Sequence, residues 1–332
     1  MDTPAPSPLV VDARALGARG AWTELRALLG ARVEESRVHP ELITLFGEAL
    51  LRTQAPREAR TWLAGTRTAV RRSGDRAAVR RSVNLEGVAC FETGELAQAE
   101  ERFHEALELG RQDGDDLLLA RATNNLGTIA NVRGAPTEAL ALYRLAVPAY
   151  QRLGHARGLA ETYHNLAISY RDLGDVPHAD ESERRAAEFA RQAADARLAA
   201  MALVGLAELR LRSGDAELAE AEARRGAGEM ARIGDPKGEA DALRLVGAAA
   251  TRRGRFAEAR TALERALTLA RTQGFAVIEA EALRARAELA HAEGRRDASR
   301  DEAREALAIY ERLGARREAQ ALHEWLEETA RR

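Results

Sequence analysis

Residues 121–134 read RATNNLGTIANVRG, and residues 161–174, forty positions on, read ETYHNLAISYRDLG. Placed one above the other, they align Asn125 with Asn165, Leu126 with Leu166 and Gly134 with Gly174. Carried outward at the same interval, Gly94, Gly134, Gly174, Gly214, Gly254 and Gly294 fall in one column. Glycine is 26 of 332 residues, so five further matches to the first have a chance of about 3 in a million, and the interval is a true internal repeat.

Other columns keep the same register. Five residues after the glycines stand Ala99, Ala139, Ala179, Ala219 and Ala259, with Ser299 in the last row. Seven before them stand Gly87, Gly127, Ala167, Ala207, Gly247 and Ala287, and twelve after them Ala106, Ala146, Ala186, Gly226, Ala266 and Ala306. Larger residues such as Phe103, Tyr143, Tyr170 and Leu263 lie between. Each row therefore reads as two antiparallel helices. The glycine ends the first helix in a left-handed conformation that costs other residues strain. Small residues mark close backbone crossings, and large ones fill the gaps between them. Pro56, Pro136 and Pro177 follow the hinge column closely, where proline suits the first turn of the second helix. Asp235-Pro236 starts a first helix in the same way, and Pro148 is expected to kink the second helix of its row.

This pattern resembles the tetratricopeptide repeat family. The matching residues are Asn125-Leu126-Gly127, Gly134, Ala139, Tyr143 and Ala146 in one row, and Asn165-Leu166-Ala167, Tyr170, Gly174, Ala179 and Ala186 in the next. The family unit is about 34 residues, so these units are longer, by up to about 9 Å of helix. In that they are similar to the arrays of kinesin light chains, of Rap-type bacterial regulators and of sensor domains in large bacterial transcription activators. The resemblance implies an all-α, right-handed α-solenoid superhelix. The expected organisation is a disordered tail at 1–8, a short first unit at 9–40 with helices near 9–18 and 22–33, seven units at 41–80, 81–120, 121–160, 161–200, 201–240, 241–280 and 281–315, and a capping helix at 316–332. Gln54 takes the hinge position of the 41–80 row.

Composition narrows the function. Hydrophobic residues are 45%, charged residues 31% and aromatic residues only 4%, a globular and helix-forming mixture. A formal net charge of −2 supplies no field towards nucleic acid or anionic lipid, and neither partner is expected. Lys237 is the one lysine among fifty positive side chains. Cys90 is the sole cysteine and stands where the family has a large packing residue, which reads as a buried structural thiol. The start, MDTPAPSP, has neither a basic nor an apolar run, and no stretch is long enough to span a bilayer, so a cytoplasmic location is expected.

By the same resemblance, the first helices line a concave groove with the residues 13, 10, 9, 6 and 3 positions before the hinge. In the middle rows these include Arg81 and Asn84; Arg121, Asn124, Asn125, Thr128 and Asn131; and His164, Asn165 and Arg171. An asparagine amide both donates and accepts, so such a ladder can hold the main chain of an extended peptide without reading its sequence, and arginine can add a carboxylate clamp. The same asparagines can instead bridge repeats or face water, and both readings stay open. In the 201–240 row, Met201, Val204 and Leu211 accompany Gly205 and Glu208, and either take a partner's apolar side chains or pack between repeats. Further on, the basic Arg244, Arg252, Arg284 and His291 are offset by Asp241, Glu281 and Glu288. The clamp that some family members use for acidic chaperone tails is not matched, since Glu161 and Asn165 occupy its basic positions.

No catalytic constellation is found: no phosphate loop, no zinc-binding histidine pair, no nucleophile elbow. Carboxylates such as Glu220 and Glu281 sit at helical spacing from Arg224 and Arg284, the pattern of solvated helix faces. The expectation is a non-enzymatic protein- or peptide-binding scaffold without cofactor. The alternative is a ligand- or peptide-sensing module acting on a partner in trans.

Overall fold

The computed structural model describes residues 7–331, and these run through eighteen α-helices. They divide into two compact units, one ending at His155 and the other beginning at Ala156. In the first unit, α1 (Pro8–Ala18) and α2 (Trp22–Gly30) precede a short α3 (Val33–Val38). The pairs α4 (Pro40–Arg52) with α5 (Pro56–Arg72), α6 (Arg76–Glu92) with α7 (Leu96–Asp113), and α8 (Asp116–Val132) with α9 (Pro136–Arg152) follow. The second unit holds α10 (Ala156–Asp172) with α11 (Val176–Gln192), α12 (Ala196–Arg212) with α13 (Ala216–Ile233), α14 (Pro236–Arg252) with α15 (Phe256–Gln273), and α16 (Ala276–Ala292) with α17 (Arg296–Leu313). It ends in α18 (Arg316–Arg331).

The hinge column does what its residues require. All six aligned glycines have positive φ, between 72° and 90°, and Gln54 accepts the same region at φ 59°. A second column, at Gly74, Gly114, Gly154, Gly234, Gly274 and Gly314, also has positive φ and turns one pair into the next, with Ala194 in its missing place at φ 51°. Aspartates then start the helices: Asp75, Asp115, Asp175, Asp195, Asp215 and Asp235 each accept a hydrogen bond from the amide three residues on, satisfying one open donor of the first turn. Pro56 and Pro136 are the first residues of α5 and α9, where a missing N–H costs nothing. The α9 helix continues through Pro148 to Arg152.

Close crossings explain the small column. A Cβ added to Gly87 would lie 2.5 Å from the Phe103 ring, one on Gly127 2.6 Å from Tyr143, and one on Gly247 2.4 Å from Leu263. Each glycine thus receives the large residue sixteen positions later, and Phe103, Tyr143 and Leu263 are fully buried. Cys90 is 2% exposed among Ala99, Phe103, Leu126 and Ile129, and burial pushes its thiol up, away from reactivity.

Two expectations are corrected at the N-terminus. Ser7 and Pro8 are not tail: the Ser7 hydroxyl caps α1, and Pro8 is its first residue. Residues 1–6 lie outside the described residues. The second helix stops at Gly30 rather than near 33, because Arg32 leaves helical geometry (φ −128°, ψ 47°). The chain restarts as α3, with Ser36 buried and its hydroxyl donating to the Leu29 carbonyl. Extended His39 before Pro40 ends it, as the residue before a proline prefers.

Candidate functional site

Within each unit, successive first helices pack directly on one another: α4 on α6 and α6 on α8, then α10 on α12, α12 on α14 and α14 on α16. The second helices do not. They are joined by ion pairs between long side chains, such as Arg71–Glu105, Arg224–Glu258 and Arg271–Glu305. The first helices of each unit thus form one inner row, packed helix on helix.

In the first unit this inner row is mostly uncharged and polar. The Asn125 amide donates to the Asn84 side-chain oxygen at 3.4 Å, linking α8 to α6. That bond uses one of the four N–H donors of the pair. The Thr128 hydroxyl donates to the Asn124 carbonyl (3.2 Å) and accepts from the Tyr143 hydroxyl (3.4 Å). Burial pushes Tyr143 up to about 12, so it remains a neutral donor. Asn131 is half-buried, whereas Asn124 is 6% exposed and belongs to the packing between helices rather than to open surface. Arg81 is held by Glu48 of the preceding pair. Arg121 is exposed and makes no ion pair among the described residues, so it is the open cation of this row.

In the second unit the inner row is ionic. Arg171 pairs with Asp172 and with Glu208 of α12, both at 3.3 Å. Arg244, 7% exposed, donates to Asp241 at 2.6 Å, lies 3.2 Å from Glu281 and 3.6 Å from Glu208. Burial opposes the charge on Glu208, yet Arg244, Arg171 and Arg212 outweigh it and lower the carboxyl to about 2. Glu281 is pushed up by its burial, against the pull of Arg244. Beside this network, half-buried Asn165 shares α10 with His164, whose Nδ1 meets the Glu183 carboxylate at 3.0 and 3.1 Å.

The structure gathers Asn84, Asn124, Asn125 and Thr128 on α6 and α8, and His164, Asn165 and Arg171 on α10, but assigns two arginines to internal partners. Two readings change, and one left open is decided. Glu220 is not on a solvated face: it is 2% exposed and takes Arg224, Arg253 and Arg255. Glu281 pairs with Arg244 of the previous repeat rather than with Arg284. Val204 and Leu211 are buried, and Met201 packs against Ala160, Ala190 and Leu198, so this row is inter-repeat packing. Glu183 was missed altogether. Its signal was its column, where Leu63, Phe103, Tyr143 and Leu263 stand in other rows.

Among the described residues no group of three or more His, Cys, Asp or Glu is arranged to hold a metal ion, and no helix is long and apolar enough to cross a membrane.

Comparison with known proteins agrees with this fold. The tetratricopeptide repeat family model matches residues 118–192. No curated protein matches the chain. Among solved structures, a Rap protein complexed with Competence and Sporulation Factor is 13% identical with a TM-score of 0.64, over 97% of this chain and 96% of that one. NprR in complex with its cognate peptide NprX is 12% identical (TM-score 0.60; 98% and 89% covered). The APC/C hetero-tetramer Cut9–Hcn1 gives 15% identity and a TM-score of 0.69, over 97% of this chain and 55% of that one. Residues 118–192 are therefore tetratricopeptide repeats, and the fold of the chain is that of tetratricopeptide-repeat arrays such as the Rap and NprR proteins.

Proposed function

We propose that the chain is a non-enzymatic scaffold that binds a protein or peptide along the first helices of its units. The observation that carries this reading is the inner row of α6 and α8: packed side by side, it exposes hydrogen-bonding side chains and the open guanidinium of Arg121. A row of amide donors and acceptors suits the main chain of an extended segment, and one cation suits a carboxylate on it. In the first unit the binding residues are Asn84, Arg121, Asn125, Thr128 and Asn131, supported by Arg81, which Glu48 holds, and by buried Asn124; in the second unit they are His164 and Asn165, with Arg171, tied to Asp172 and Glu208, beside them. No cofactor enters this activity, and the working location is the cytoplasm.

A second reading, a sensor that changes a partner held in trans when a peptide binds, draws support from the fold it shares with NprR, which was solved with its cognate peptide. A ligand-dependent change in small-angle scattering separates this sensor from a passive scaffold. The primary test is a double change, Arg121→Ala with Asn131→Ala. Partner affinity is expected to fall while helicity and melting temperature stay as in the wild type. Unchanged affinity places the site elsewhere, and loss of the fold makes these residues structural.

A further inference from the structure

In most rows, the position nine after the hinge fills a crossing with an apolar side chain: Leu63, Phe103, Tyr143, Ala223, Leu263 and Ala303. Glu183 stands there instead, with its side chain 3% exposed between α10, α11 and α12. Room for it comes from Gly205 of α12, where an added Cβ would lie 2.0 Å from Glu183 Oε1. An acid in a place meant for packing is costly unless it has a partner, and the partner is His164 of α10, through Nδ1. The other ring nitrogen makes no hydrogen bond among the described residues, and the His164 side chain is 16% exposed on the inner face.

We propose that His164 is a proton-linked contact for a bound peptide, with Glu183 as its positioning residue: the ring, oriented through Nδ1–H, offers Nε2–H to a main-chain carbonyl of the occupant. The proposal rests on the peptide-binding reading above and names the chemistry of one contact in it. A carboxylate that orients one nitrogen of an imidazole fixes the tautomer and aims the other. The charged groups around the ring are Glu183 on α11, Arg171 on α10, Glu208 on α12 and Asp241 on α14. Nearby on α11, Asp180 and Arg185 are engaged by Arg210 and Tyr163. Arg171 is already tied to Asp172 and Glu208, so carboxylates outnumber available cations around His164. An anionic occupant is disfavoured there, whereas a neutral carbonyl is not. Burial opposes charge on His164, but the facing Glu183 carboxylate outweighs it and holds the imidazolium to higher pH than usual. Burial also pushes Glu183 up, so the two titrate as one coupled pair. Once the ring loses its proton, Nε2 turns from donor to acceptor and the contact is lost.

Two measurements on the full chain test this. The first is a pH titration of the ¹⁵N-labelled histidine rings by NMR. The His164 midpoint should lie above the ordinary imidazole value and fall in Glu183→Gln; an ordinary midpoint, unmoved by that change, overturns the assignment. The second uses an immobilised library of N-acetylated, C-amidated ten-residue random peptides, read below and above the His164 midpoint. Peptides that bind the wild type should lose affinity by about tenfold or more across that midpoint, the worth of a charge-assisted hydrogen bond. In His164→Asn, which keeps a donor but cannot titrate, the affinity should be flat with pH. His164→Gln serves if the first variant does not fold. Peptides that bind both proteins with the same pH profile overturn the His164 role alone. If no peptide binds at either pH, the peptide-binding reading fails as well, while the ring titration still decides whether Glu183 orients the histidine.

Discussion

The first helices of the two units repeat the same backbone and carry opposite chemistry. In the first unit, a neutral hydrogen bond from Asn125 to Asn84 joins α8 to α6, Tyr143 donates to Thr128 beside it, and an ion pair of this row, Arg81 with Glu48, lies between α6 and α4. In the second, the same positions carry a buried guanidinium, Arg244, among Glu208, Asp241 and Glu281, and a buried acid, Glu183, under His164. A repeat thus sets where side chains stand but not what they are worth. A neutral hydrogen bond contributes about 1 kcal/mol. A buried charge with its partner removed costs several times more, because desolvation is no longer offset.

The sharpest way to break this contrast is Arg244→Leu. It takes the buried guanidinium from Asp241 and Glu281, leaves Glu208 with only Arg171 and Arg212, and should lower stability by about 3–5 kcal/mol in urea unfolding. The deficit should shrink as pH falls and those carboxyls take up protons. The wild type should show the matching acid dependence. Glu208, lowered to about 2 in the fold, contributes stability that is fully present above its unfolded value near ~4.3. That share is lost as pH falls from about 4 towards about 2, and the Arg244→Leu protein should lack much of it. In the first unit, the largest effect should come from packing: Gly127→Ala drives a Cβ into the buried Tyr143 ring and should cost about 1–3 kcal/mol, independent of acid pH. Asn84→Ala should cost less, about 1 kcal/mol or under, again without pH dependence. The smallest change is a gain. Ala194→Gly relieves a left-handed alanine (φ 51°) and should add on the order of 1 kcal/mol, read as a rise in melting temperature.

The fold was legible because its constraints are local and repeat. Only a left-handed turn explains a glycine every forty residues, and only a close crossing explains Gly127 opposite Tyr143. The second glycine column, Gly114 to Gly314, was equally open to reading and lies at the turns between pairs. The break after Gly30 was not, since the backbone of Arg32 is set by how Val33 and Ser36 settle on the core. For the candidate site, spacing indicates which residues share the first helices. It does not show which are already engaged. Arg81 and Arg121 occupy equivalent positions, but one is held by Glu48 and the other is open. Glu281 has Arg284 at helical spacing and binds Arg244 across repeats instead. Partner choice across forty residues depends on side-chain reach, which a one-dimensional pattern does not contain.

The central claim, that partners are held by the first helices, can be tested within the first unit alone. A photo-crosslinking residue is placed at Arg121 of α8 in one protein and at Leu145 of α9, 68% exposed, in another, and each is irradiated with a bound partner. Crosslinks from position 121 that disappear with Asn131→Ala, and none from 145, are the predicted result. Crosslinks from 145 with none from 121 would contradict the account.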